Sequence, residues 1–140
     1  MQANKINNAS EQLRFIKGGN SVFTIKNNET DNRYTFKVKK HKEKELWFVS
    51  VLTGGDNTNS YSYIGTIFDD GFKLTKKSNF KEDSVCYKAF SWLYKVLNSG
   101  KELPEKVEFW HEGKCGRCGR KLTVPESIET GFGPECASKL

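Results

Sequence analysis

Apolar and polar residues alternate with a period of two through much of the first eighty positions, which is the pattern of strands with one buried face. Over residues 21–27, Phe23 and Ile25 fall on one side. Over 33–40, Tyr34, Phe36 and Val38 alternate with Thr35, Lys37 and Lys39. The six residues from Asn27 to Asn32, Asn-Asn-Glu-Thr-Asp-Asn, are turn formers, so the pair reads as a hairpin. Residues 45–52 form a third and more apolar run, 61–68 a fourth, and 72–76 a short fifth joined to the fourth through Asp69, Asp70 and Gly71. The period then changes. Cys86, Ala89, Phe90, Leu93, Val96 and Leu97 recur at helical spacing over 84–98. Asp83 or Ser84 can cap the start of that helix and Gly100 its end, with Pro104 beyond. Val107, Phe109 and Trp110 read as a short strand running into His111.

These elements predict an α+β fold. It consists of an antiparallel β-meander of about five strands with one covering helix, followed by a C-terminal treble-clef-like zinc module. The expected organisation is a flexible N-terminus over 1–14, rich in Asn, Gln and Ser, an α+β domain over 15–104 and a zinc-binding module over 105–140.

The module rests on His111, Cys115, Cys118 and Cys136, spaced H-x3-C-x2-C-x17-C. Two cysteines two residues apart can grip one metal ion from a single turn. A third cysteine and a histidine complete a tetrahedron, so one structural zinc per chain is expected. Gly116 and Gly119 let the backbone fold under the metal with N–H groups facing the sulfurs. Pro134 suits the first turn of a terminal helix that would carry Cys136. Four protein ligands leave no open position for water or substrate, which points away from catalysis. A zinc deaminase needs H-x-E and P-C-x-x-C, whereas Glu112 directly follows His111 and no proline precedes Cys115. A redox C-x-x-C would need a strand-to-helix setting that the segment lacks.

The formal net charge is +6. Residues 1–100 hold 16 Lys/Arg against 10 Asp/Glu, and residues 101–140 hold 7 against 7, so the excess lies in the first hundred. Such a balance suits an acidic partner such as nucleic acid. Lys37, Lys39, Lys40 and Lys42 form one basic cluster, and Arg117, Arg120 and Lys121 another beside the metal turn. These seven are the candidate nucleic-acid contacts, with strand aromatics available to stack bases. The glycine-led stretch 53–63 is a second candidate surface. Asp56, Asn57, Tyr61 and Tyr63 are its candidate ligand-binding residues for a host protein or a nucleotide.

Cysteines committed to metal, no leader peptide and no long apolar run suggest a reduced, cytoplasmic setting without membrane insertion. The terminal Ser138-Lys139-Leu140 spells a peroxisomal address but follows a metal ligand so closely that it reads as coincidence.

The segment CGRCGRKLTVPESIETGFGPECA resembles a phage and prophage family of unknown function that carries a zinc knuckle, then L-T-x-P-x-S-I, then G-x-G-P-x-C. The resemblance covers about residues 111–138. It implies zinc on Cys115, Cys118 and Cys136 and a phage setting, hence the host bacterial cytoplasm. The expected function is that of a non-catalytic, zinc-binding phage accessory protein that binds nucleic acid. The alternative is an anti-defence inhibitor that binds a host defence protein or sequesters a nucleotide signal.

Overall fold

The structure, a computed structural model, describes residues 5–53, 61–119, 121–122 and 131–133. Within these residues the chain runs α1 (Ala9–Ile16), β1 (Asn20–Asn27), β2 (Arg33–Lys40), β3 (Trp47–Leu52), β4 (Tyr61–Phe68), β5 (Gly71–Lys73), α2 (Val85–Asn98) and β6 (Val107–His111). The fold is α+β, with one six-stranded antiparallel sheet in the order β5-β4-β3-β2-β1-β6. The first five strands form the meander expected from their alternation. β6 returns to pair with β1 after α2 has crossed the sheet.

Three differences from the sequence reading have physical causes. First, residues 9–16 are helical where a flexible N-terminus was expected. The Asn8 side chain caps the helix by accepting from the backbone N–H groups of Ser10 and Glu11. The helix buries Ala9, Gln12, Phe15 and Ile16 on one face. That stripe includes a small residue and a glutamine, so its apolar period is faint in the sequence. Second, there are two helices and not one among the described residues. Third, β6 is an integral sheet strand and not the opening of a separate unit. Its residues Phe109 and His111 register with Ile25 and Phe23 of β1. The segment before α1 continues this edge, with the Ile6 N–H donating to the Phe109 carbonyl at 2.9 Å and Lys5 paired with Glu108 at 3.2 Å.

Both helices lie on the same face of the sheet. On the α2 side, Phe90 packs edge-on to Phe36 of β2 at 5.2 Å and to Phe72 of β5 at 4.7 Å between ring centroids. On the α1 side, Phe15 meets Phe23 of β1 at 6.4 Å and Phe109 of β6 at 6.2 Å. Phe15, Phe23, Phe36, Phe90 and Phe109 are all fully buried. The inward positions of the strands, including Val38, Val49, Val51, Ile64 and Ile67, complete this core.

The other face follows from the registers. One cross-strand row reads Trp110, Thr24 and Thr35, and Leu52 faces Tyr61. A second row reads Val22, Lys37, Ser50 and Tyr63, and a third Asn20, Lys39, Phe48, Thr66 and Lys73. A bulge makes this possible. Strict alternation would put Ile67 on the same face as Tyr61 and Tyr63. The register shifts between Val49 and Ser50, so Tyr63 faces Ser50 while Ile67 faces Trp47 in the core.

Candidate functional site

The turn at 115–118 carries the metal-ligating candidates, and its docking is visible residue by residue. The Gly119 N–H donates to the Cys115 carbonyl at 2.9 Å and closes the turn. Lys114 and Lys121 form an antiparallel bridge, and the Leu122 N–H donates to the Gly113 carbonyl, so a small hairpin holds the turn at its tip. Gly116 joins the turn to two other segments. Its N–H donates to the Gly131 carbonyl at 2.8 Å, and its own carbonyl accepts from the Asn20 N–H at 2.8 Å. Leu122 and Phe132 are buried, and Phe132 packs against Phe15 at 5.7 Å. The turn is therefore seated on the junction between α1 and β1.

Gly18 shows how close that seat is. A Cβ there would lie 2.5 Å from the Gly116 carbonyl oxygen and 2.8 Å from the Phe132 ring. Backbone at 2.5 Å cannot give way without moving the whole turn. Gly18→Ala is expected to destabilise the protein by about 1–3 kcal/mol, read as a lowered urea midpoint. An unchanged midpoint would mean that the turn does not seat on this junction.

The Cys115 side chain is buried and its sulfur accepts from the Arg117 N–H at 3.4 Å and the Gly133 N–H at 3.3 Å. Burial pushes its thiol up. The N–H groups of Cys118, Gly133 and Arg117, together with the Cys118 thiol, outweigh burial and bring it down to about 7. Such a cradle of backbone donors favours the thiolate, which is the form that binds zinc. In this respect the residues present fit the ion. Cys118 is exposed beside it. His111 lies on the inner face, 1% exposed and stacked on Phe15 at 5.8 Å. Its Nδ1 accepts from the Gly113 N–H at 2.9 Å. No group of three or more His, Cys, Asp or Glu side chains gathers to hold a metal among the described residues. Cys136 lies outside the described residues.

The basic and aromatic candidates divide between the outer sheet face and the hairpin tip. Lys37 and Lys39 point outward from β2, and Lys37 Nζ sits 5.5 Å from the centre of the Tyr61 ring. Lys40 belongs to the inner side of the same strand. It pairs with Glu45 at 3.3 Å and approaches Trp47. Lys42 is exposed in the turn between β2 and β3, and Arg117 and Lys121 are exposed at the hairpin tip. The structure links two of these sets. Asn20, next to Lys39 in the third row, donates from its side chain to the Arg117 carbonyl at 3.3 Å. Arg120 lies outside the described residues, as do Asp56 and Asn57. Tyr61 and Tyr63 stand on the outer face, where Phe48 meets Tyr63 edge-on at 6.4 Å.

Sequence reasoning missed Trp110, Thr24, Thr35, Phe48 and Arg33 as members of this face. The signal was present in the alternation, since Trp110 lies between inward Phe109 and His111. A groove of about 530 Å³ runs over Thr24 and Thr35, walled by Trp110 and Leu52 and rimmed by Lys26, Arg33, Glu108 and Glu112. The Glu108 carboxyl is held below its usual range by a hydrogen bond from Lys5, against burial and with help from Trp110 and Asn28. The Tyr61 hydroxyl is raised, first by burial and then by the Glu112 carboxylate across the face.

Fold and site together define a small α+β protein with one helix-covered sheet face, one basic and aromatic face, and a cysteine turn docked at the sheet's edge. Residues 108–140 match a family of unknown function, DUF6011. The match begins within β6 and takes in the cysteine turn. No curated protein and no solved structure matches the chain. Among the described residues no helix is long and apolar enough to cross a membrane.

Proposed function

We propose that the protein is a zinc-stabilised, non-catalytic nucleic-acid-binding protein of phage origin, with the outer sheet face as its binding surface. The observation that carries the reading is the order of that face. Phe48, Tyr61, Tyr63 and Trp110 share it with Lys26, Arg33, Lys37, Lys39 and Lys73. Aromatic rings on a sheet stack bases, and the cations between them neutralise phosphates. Among the described residues, Arg33, Lys37 and Lys39 have no carboxylate at ion-pairing distance, so their charge is available to a ligand. The link through Asn20 extends the basic band to Arg117.

In this reading zinc is held by Cys115, Cys118 and Cys136, with His111 as the fourth ligand, and its part is structural. It ties the hairpin tip to the segment around Gly131 and so fixes the edge of the binding face.

The test is a titration of labelled single-stranded and duplex oligonucleotides at low salt, repeated as salt rises. Affinity should fall with a log–log slope of roughly 0.7 per phosphate neutralised on a single strand. Lys37→Glu combined with Lys39→Glu should weaken binding by about tenfold or more and flatten the slope, with the fold intact because both side chains leave the core. No binding of either form at low salt, or binding indifferent to the two reversals, would sink the reading.

A further inference from the structure

The groove on the outer face has a shape and a donor–acceptor pattern that narrow the ligand. Its floor is two threonines, Thr24 and Thr35, whose hydroxyls hydrogen-bond to each other at 2.7 Å. Small residues at the centre of a sheet face with large ones beside them leave a slot. Trp110 walls one side, in register with Thr24, and Leu52 walls the other. A volume of about 530 Å³ lies within the usual range for a small-molecule site. Lys26 and Arg33 stand opposite each other at one end, in register across the hairpin. Glu112 stands at the other end, where its backbone N–H donates to the Val22 carbonyl at 3.3 Å. Lys26 also pairs with the highly exposed Asp31 at 3.7 Å, a contact that a phosphate can replace at little cost.

A carboxylate in a site for an anionic polymer is informative. It repels phosphate and accepts hydrogen bonds only, so a ligand that binds against it is one that donates there. Of the nucleobases, guanine alone presents two adjacent donors, N1–H and the N2 amino group, on its pairing edge. Those two can meet both oxygens of one carboxylate. Adenine and cytosine offer a single amino group, and uracil or thymine a single imino N–H.

Resting on the nucleic-acid reading above, we infer that this groove takes one unstacked guanine of a single strand. Trp110 stacks on the base, Glu112 accepts from N1–H and N2–H, and Lys26 and Arg33 hold the flanking phosphate. A duplex does not fit this arrangement, because the edge that Glu112 would read is occupied by the partner base.

The experiment is fluorescence anisotropy with labelled oligothymidylates of equal length carrying one central dG, dA, dC or dT. The dG strand is expected to bind about tenfold more tightly than the dT strand, the discrimination of one good bidentate contact. Glu112→Gln should bring the ratio of dG to dT affinity down to about twofold or less, since the amide has a single acceptor oxygen for guanine's two donors. Trp110→Phe should retain the preference and lose the quenching of tryptophan fluorescence on binding. If all four strands bind alike and Glu112→Gln changes nothing while the Lys37 and Lys39 reversals still weaken binding, the guanine site falls and the nucleic-acid reading stands. If no strand binds at low salt, both fall.

Discussion

Replacing Cys118 by serine is expected to strip the protein of zinc and to lower its stability by several kcal/mol. The position makes this a sharp measurement. Cys118 is exposed, so its substitution would cost within about 0.5 kcal/mol if it acted only as a surface residue. Structural zinc contributes folding free energy, with apparent binding free energies of about 10–16 kcal/mol in small zinc modules. A large loss at an exposed cysteine therefore reads the metal and not the packing. Zinc content by elemental mass spectrometry should fall from one per chain to near zero, and thermal unfolding should shift down in parallel. A wild type that purifies folded without metal, or a Cys118→Ser variant with an unmoved midpoint, would remove zinc from the account. His111→Ala separates the fourth ligand from the others. Loss of zinc affinity supports it. Full retention would place the fourth ligand elsewhere and leave His111 as a core residue stacked on Phe15.

Phe15→Ala should be the most damaging single change in the hydrophobic core, at about 3–5 kcal/mol. Phe15 is 0% exposed and sits where α1, two strands and the seat of the cysteine turn meet. It packs on Phe23 of β1, on Phe109 and His111 of β6, and on Phe132 beyond the cysteine turn. A Cβ on either Gly116 or Gly131 would also press on its ring, at 3.1 and 3.0 Å. Truncation leaves a cavity bounded by three elements and the seat of the turn, with little freedom to collapse. The expected result is a lowered urea midpoint together with faster amide exchange at Gly116 and Cys115. A loss confined to the α1 side, with exchange in the turn unchanged, would show that the turn is held without Phe15.

The course of the first five strands was legible because each has alternating or continuous apolar residues bounded by turn formers. The helix at Val85–Asn98 was legible from its 3.6-residue period. The N-terminal helix was not, because its buried stripe includes Ala9 and Gln12, which look polar or neutral out of context. The cysteine turn stood out by spacing alone, whereas the N–H groups on the Cys115 sulfur come from Arg117 inside the turn and from Gly133 in a segment beyond it. The candidate loop residues Asp56 and Asn57 lie outside the described residues, while Tyr61 and Tyr63 prove to belong to the sheet face.

Local pattern alone thus determined which segments pair in sequence order, which residue types are suited to metal, and the surplus of positive charge. All of these depend on neighbours a few positions apart. The tertiary structure decided that β6 closes against β1, that a bulge opposite Val49 and Ser50 sends Ile67 inward while Tyr63 stays outward, and that Thr24, Thr35, Trp110 and Glu112 share one groove. These juxtapositions join residues up to about ninety positions apart through strand register. Register is set by how the two helices and the apolar faces pack, a balance summed over the whole core that no local run of residues contains.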